Sequence, residues 1–296
     1  MPATELVPCP LCGGTRDREL LITGPRRIVR CEACGVAFRN PRPSVAASVE
    51  EFGSGRAEVA DEVWLGVRRS ATFVRFLDAW PGPPGRVLDV GCGGGWFLKA
   101  ATERGWAAVG VDLSPRAVRR AREGFGVDAR RGSLEAQDFE PGSFDLVTLW
   151  NVVEIVPEPL ALVRTIRPLL RPGGTLHLRT QNFPFQRAAF GAAQAVRGLG
   201  LGRALDRRPY LAFIFNATAF SARTIRLCLE RAGFTDVRVV PSPPAPGDPY
   251  HALGRFAEWP LGLVKAASHG LAWAAHTVSG GRWIASASLE ASARRP

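Results

Sequence analysis

The stretch from Arg86 to Gly95 constrains the fold of this chain more than any other. Arg86-Val87-Leu88-Asp89-Val90 has the character of a short apolar strand. It runs without a spacer into Gly91-Cys92-Gly93-Gly94-Gly95, and a helical sequence follows over 96–104. A strand that turns through glycines straight into a helix opens a βαβ unit, and such units build parallel sheets covered by helices. Glycines at 91, 93 and 95 permit a tight turn and a close ligand, with the helix N-terminal amides facing it. The nicotinamide fingerprint would need glycine at position 96, where Trp96 stands. Asp89, two residues before the first glycine, would repel a pyrophosphate and suits a cationic ligand instead.

The elements that follow continue the pattern. A second strand over 107–111 ends at Asp112, 21 residues beyond Gly91. An acid there is placed to accept hydrogen bonds from both hydroxyls of a ribose. It could also be a helix-start acid, since Ser114 and Pro115 cap and open the next helix. A strand over 146–150 leads to Asn151. Then come a helix over 159–170, a turn at Pro172-Gly173-Gly174, a strand over 175–179, a helix over 221–232 and strands over 237–240 and 286–293. The expectation is an α/β, Rossmann-like, doubly wound sheet of seven strands, with its ligand at the strands' carboxyl ends.

The N-terminus carries an independent signal. Cys9-x-x-Cys12 and Cys31-x-x-Cys34 are separated by eighteen residues, and a glycine follows each pair. Two such turns bring four thiolates to one tetrahedral ion, which suits a structural zinc with no open position. So short a segment has little core of its own, and metal binding can supply its folding energy. Residues 19–22 and 27–30 read as a hairpin turned at Gly24 and Pro25. The expected division is a zinc ribbon over 1–43, a helical linker over 44–84 with its helix from 45 to 80, and a catalytic domain over 85–296. Insertions are expected near 183–219 and 253–279.

Net charge is +11 over 296 residues, but Lys99 and Lys265 are the only lysines, and the arginines are spread along the chain. No block of five like charges exists, which argues against nucleic acid as a partner. Residues 1–43 hold seven arginines and four acids; four thiolates and one Zn²⁺ would leave about +1, which does not favour phosphate binding. The first residues show neither a basic nor an apolar leader pattern, so no secretory signal is expected, and the charge-free run 266–281 reads as a poor transmembrane span. A cytoplasmic protein is expected, in which paired cysteines read as metal ligands; Cys92 and Cys228 read as small apolar residues.

Three segments carry a resemblance. Val87-Leu88-Asp89-Val90-Gly91-Cys92-Gly93-Gly94-Gly95, Gly110-Val111-Asp112-Leu113-Ser114 and the segment from Gly142 to Trp150 resemble successive motifs of class I S-adenosylmethionine-dependent methyltransferases. With Cys31-x-x-Cys34-Gly35 and Asn40-Pro41-Arg42-Pro43, the chain resembles their bacterial branch with an N-terminal zinc ribbon. The resemblance implies S-adenosylmethionine as cofactor. Gly91, Gly93 and Gly95 would contact its methionine part and Asp89 its amino end. Asp112 would hold the ribose, with Leu113 beside it. Ser133 and Leu134 would border the adenine, and Asn151 would sit by the methionine group.

That family typically carries an acid–histidine pair after the fourth strand. Here the segment is Val153-Glu154-Ile155, so isoleucine stands at the histidine position. Glu154, Tyr210 and His251 are the candidate catalytic residues, Glu154 first; its competing reading is a helix N-terminal acid. His177 alternates within a strand and reads as a core or sheet-face residue, and His269 with His276 lacks a third ligand. The expected function is methyl transfer, by default O-methylation, to a small-molecule, saccharide or lipid-linked intermediate, with peripheral membrane contact through the apolar insertions as an option. Two other classes remain: a ribosomal RNA methyltransferase, which would need aromatic residues interleaved with basic ones although Phe38 is the ribbon's only aromatic, and an S-adenosylmethionine-binding protein without catalysis.

Overall fold

The structure, a computed structural model, describes residues 4–23, 26–54, 62–196, 216–244 and 255–296. Five short strands come first: β1 (Thr4–Glu5), β2 (Asp17–Thr23), β3 (Arg26–Cys31), β4 (Ala37–Arg39) and β5 (Arg42–Pro43). Helices α1 (Val45–Gly53) and α2 (Glu62–Asp78) follow. Then come β6 (Arg86–Val90), α3 (Trp96–Thr102), β7 (Ala107–Asp112), α4 (Pro115–Phe125), β8 (Asp128–Arg131), β9 (Phe144–Trp150), α5 (Pro159–Ile166) and β10 (Leu170–Gln181). The remainder is α6 (Phe183–Val196), β11 (Thr218–Ala219), α7 (Ala222–Arg231), β12 (Thr235–Pro241), α8 (Arg255–Val278) and β13 (Ser288–Arg294).

Seven strands form the main sheet in the order β12-β13-β10-β9-β6-β7-β8. The five from β10 to β8 run parallel, and β13 lies antiparallel between β10 and β12. Strand order reverses at β6 and β9, and this opens the crevice where doubly wound sheets hold ligands. The central strands are apolar on both faces because helices cover both: Leu146, Val147 and Leu149 are fully buried. Local signals set several boundaries. Ser114 accepts the Ala117 amide to cap α4, and Gly126 ends it in a left-handed conformation. Ser221 and Thr224 form a reciprocal capping box at α7.

Two expected boundaries move. Residues 159–170 do not form one helix: α5 stops at Ile166, a 3-10 turn containing Pro168 follows, and Leu170 already pairs with Phe144. Pro168 has no N–H to continue the helix, and Pro172-Gly173-Gly174 becomes an irregularity inside β10, because strand pairing resumes on both sides of it. The helical stretch 45–80 is two helices. Of these, α2 lays Phe73, Phe76 and Leu77 on the sheet, with Phe73 edge-on to Trp150 at a centroid distance of 4.9 Å and to Phe97 at 5.6 Å. Each such buried ring contributes on the order of 1.5–3 kcal/mol.

The ribbon is a four-stranded sheet ordered β11-β4-β3-β2. Its fourth strand, β11, comes from the far end of the first insertion and pairs antiparallel with β4. One face, with Val29, Cys31 and Phe38, merges into the core of the main sheet beside Val153, Phe220, Ile225 and Leu229. The other, with Ile28 and Ala37, packs on Phe183 and Phe190 of α6. The ribbon is wedged between the main core and the insertion helix.

Candidate active site

The four ribbon cysteines converge. Their sulfurs all lie within 4.8 Å of one another, with Cys9 Sγ 3.4 Å from Cys34 Sγ and Cys12 Sγ 3.5 Å from Cys31 Sγ. A tetrahedral zinc with Zn–S bonds of about 2.3 Å requires sulfurs about 3.8 Å apart, so the residues fit the ion. Among the described residues this is the one group able to hold a metal. His269 instead accepts from Trp273 Nε1 on α8 at 3.1 Å. Cys92 and Cys228 are buried, and desolvation pushes the Cys228 thiol up to about 12.

The cofactor candidates gather at the carboxyl ends of β6, β7, β8 and β9. Asp89, the penultimate residue of β6, is only 2% exposed and accepts from Thr148 Oγ1 at 2.7 Å. Burial pushes its carboxyl up to about 8; the Thr148 hydrogen bond opposes the rise and the negative charge of Asp112 adds to it. Two carboxyls that repel in this way suit a ligand carrying positive charge. Asp112 is not merely a helix-start acid. One oxygen accepts the Ser114 amide at 2.9 Å, but the other accepts the Gly93 amide at 2.8 Å and so ties the end of β7 to the glycine turn. Leu113 follows directly in the chain. The Gly132 amide donates to the Asp112 carbonyl at 3.0 Å, which brings Ser133 and Leu134 to the same edge.

The glycines have reasons within the protein as well. Gly91 has φ +74°, and a Cβ there would lie 2.5 Å from a Val152 methyl; at Gly95, φ +80°, it would lie 2.7 Å from Ala121 Cβ. Glycine therefore lets the turn close on the neighbouring elements and leaves its backbone toward the crevice.

On the other side of the crevice stands a network that the sequence did not disclose. Asn151, itself in a left-handed conformation at φ 61°, donates Nδ2 to Glu154 Oε1 at 2.9 Å and accepts from Arg179 Nη1 at 2.7 Å. Arg179 Nε donates to Ser242 Oγ at 2.9 Å, and Ser242 donates to Glu290 at 2.9 Å. Glu154 lies in the turn after β9, five residues before α5, and is 2% exposed, so it is not a helix N-terminal acid. Burial raises its carboxyl; bonds from Asn151 and its own backbone, the nearby Thr180 hydroxyl and Arg179 oppose the rise. Burial also lowers Arg179 to about 10. Glu154 Oε2 and the hydroxyls of Thr180 and Thr218 are buried without a well-formed hydrogen bond. The missed signal was Arg179 itself, an arginine in an interior strand. His177, two residues earlier, is buried, stacked on Phe76 at 4.1 Å and bonded to Ser292; burial lowers it to about 3.

The ribbon braces this turn. The Thr218 amide donates to the Glu154 carbonyl at 3.0 Å, and buried Arg42 bonds both the Pro157 carbonyl and the Glu158 carboxylate. Tyr210 and His251, the other catalytic candidates, lie outside the described residues, as does the Gly24-Pro25 turn.

Comparison with known proteins agrees with this architecture. The chain belongs to the methyltransferase domain family, whose model matches residues 65–239. A curated relative from Xanthomonas campestris, named ubiquinone biosynthesis O-methyltransferase, is 43% identical over 129 residues, covering 40% of this chain and 54% of the relative. A Pseudomonas paraeruginosa protein of the same name is 40% identical over 116 residues, 37% of this chain and 50% of the relative. The chain thus spans about half the length of the curated relatives it matches. Among solved structures, a SAM-dependent methyltransferase from Thermotoga maritima superposes with TM-score 0.52 at 15% identity, over 84% of this chain and 99% of that one. Haemonchus contortus phosphoethanolamine N-methyltransferase 2, in complex with S-adenosyl-L-methionine, gives 0.54 at 16% identity over 88% and 63%. These show a shared methyltransferase fold.

Proposed function

We propose that this chain transfers a methyl group from S-adenosylmethionine to a hydroxyl of a small-molecule biosynthetic intermediate, a saccharide or lipid-linked one included. The curated relatives' O-methyltransferase names support the oxygen acceptor. When bound, the cofactor supplies an electrophilic methyl on a sulfonium sulfur. Asp89 and Asp112 answer its positive charge and its ribose. The glycine turn presents backbone amides, and Leu113, Ser133, Leu134 and Asn151 complete the cofactor edge. Four cysteines hold a structural zinc that keeps the ribbon folded against the crevice.

The observation that carries the catalytic part is the buried Glu154 carboxyl after β9, whose Oε1 Asn151 fixes while Oε2, with the Thr180 hydroxyl nearby, has no well-formed hydrogen bond. A carboxylate with a raised pKa and one oxygen not held by a well-formed bond is equipped to accept a proton from an acceptor hydroxyl, the task that Ile155 cannot perform in place of a histidine. Positioning of acceptor and methyl supplies the rest of the rate. An RNA acceptor is disfavoured because Phe38, the ribbon's one aromatic residue, is 2% exposed and cannot stack on a base. No helix among the described residues is long and apolar enough to cross a membrane.

The test is calorimetric binding of S-adenosylmethionine to the zinc-loaded chain, followed by transfer of a labelled methyl group to a panel of phenols and sugar hydroxyls. Micromolar-range binding and label on oxygen are expected. A folded protein that binds no cofactor would overturn the reading, and binding with no transfer to any fraction of a metabolite extract would leave a binding protein in its place.

A further inference from the structure

The ribbon sheet sorts its charges by face. Side chains alternate along β3, so Arg27, Val29 and Cys31 share one face while Arg26, Ile28 and Arg30 share the other. Register fixes their neighbours. Asp17 and Glu19 lie opposite Cys31 and Val29, whereas Arg18 lies opposite Arg30, and Ala37 and Ala219 continue that row. Both acids of β2 therefore fall on the Arg27 face, where Arg27 reaches Glu19 at 3.0 Å and Asp17 at 3.8 Å. The opposite face carries Arg18, Arg26, Arg30 and, on β4, Arg39, with no acid from the ribbon strands. Like charges set directly opposite in a ladder repel. Among the described residues no carboxylate pairs with Arg18 or Arg30.

That arginine face is one wall of a cleft of about 580 Å³, and α6 is the other. The helix turns Ala188, Gly191 and Ala192 toward the space, and such small side chains leave it open. Gly191 has nothing within 4 Å of where a Cβ would be. Arg30 lines it from the sheet and Arg187 from the helix, together with the start of α6 and the α7 cap residue Ser221. No carboxylate among the described residues pairs with Arg187 either. Strand β11 links the cleft to the turn that holds Glu154: Ala219 lines the cleft, and the preceding residue, Thr218, donates its amide to the Glu154 carbonyl.

We infer that this cleft binds a phosphate or diphosphate group carried by the acceptor, with Arg30 and Arg187 as its charged contacts. The inference rests on the reading that methyl transfer occurs at the acceptor end of the sheet. Guanidinium forks match phosphate oxygens in pairs, and an anion between them would relieve the Arg18–Arg30 repulsion. The ribbon then does more than brace the catalytic turn: it selects acceptors that carry an anionic group.

Calorimetry on the zinc-loaded full chain, in buffer free of phosphate and sulfate, tests this with inorganic pyrophosphate as probe. The wild type is expected to bind it in the millimolar range or tighter. Arg187→Gln and Arg30→Gln are each expected to weaken binding at least fivefold while S-adenosylmethionine affinity stays unchanged. Arg30→Gln should also melt no lower than wild type without pyrophosphate, because it removes a repulsion; a purely structural arginine would lower the melting temperature. Competition by uridine diphosphate points to a diphosphate-linked acceptor, and competition by glycerol 3-phosphate points to a monoester. No pyrophosphate binding by the wild type, or equal binding by both variants, overturns the inference. Loss of cofactor binding in every sample would instead strike the methyl-transfer reading.

Discussion

The two sides of the crevice are assembled differently. Between Asp89 and Leu134, one continuous segment supplies most of the residues proposed for the cofactor, namely two carboxyls, the glycine turn and the edge at Ser133 and Leu134, and bonds within it such as Gly93 to Asp112 tie its parts together. Across the crevice, Asn151, the one cofactor contact proposed on this side, and Glu154 come from the turn after β9, Arg179 from β10, Ser242 from beyond β12 and Glu290 from β13, and the ribbon holds that turn through Arg42 and Thr218. A site written in one segment can form once its βαβ unit forms. A site gathered from five segments exists only when the whole sheet and the ribbon have closed. The cofactor side should therefore tolerate damage elsewhere, and the acceptor side should not.

Zinc removal tests that contrast most severely. Chelation should lower the melting temperature by on the order of 10 °C or more, since a structural zinc supplies much of its module's folding energy and the ribbon shares the main core. Methyl transfer should vanish, while cofactor affinity at low temperature should stay within about threefold. An equal collapse of cofactor binding in titrations of the stripped protein would break the contrast.

Glu154→Gln should reduce kcat by about 10²–10⁴ without changing cofactor affinity, as expected for loss of a proton acceptor. The raised carboxyl contributes stability below its unfolded pKa and loses it as pH rises through the folded value. The neutral glutamine should thus keep the protein folded at alkaline pH, and melting curves alongside kinetics separate the two effects. Smaller again is Asp112→Ala, for which a loss of cofactor affinity of about tenfold or more is expected from ribose contacts worth roughly 1.5–3 kcal/mol, with folding retained. An unchanged dissociation constant would remove Asp112 from the site.

Asp89 offers a test that reads stability alone rather than binding or turnover. Its carboxyl moves from 3.8 to about 8 on folding, so its contribution to stability is complete below about 3.8 and is lost as pH rises through 8. An asparagine in its place cannot ionise. The melting temperature of wild type relative to Asp89→Asn should therefore fall between pH 5 and pH 9, and a flat difference would show that the burial does not act in this way.

How much could be read beforehand follows from the same contrast. Asp89, the glycines, Asp112 and the four cysteines are spaced by local chemistry, because turns, caps and paired thiolates involve residues near in sequence. The sheet's strands were legible from apolar runs, although Pro172-Gly173-Gly174 read as a turn and became an irregularity within β10. Glu154 was named, but its role depends on which neighbours burial leaves it. The summed charge of residues 1–43 spoke against an anion site, yet a sum carries no direction. Strand register, not composition, sends Asp17 and Glu19 to one face and Arg18 and Arg30 to the other.

The sequence by itself determined the strand–glycine–helix unit, the paired-cysteine turns and the helix caps, since each is settled within a few residues by backbone freedom and residue spacing. Only the tertiary structure decided that β11 completes the ribbon, that Arg179 holds Asn151 and Asn151 holds Glu154, and that α6 leaves a cleft over an arginine face. Those arrangements depend on side-chain alternation and on pairings between segments far apart in the chain, and no local preference encodes which distant strand will lie alongside.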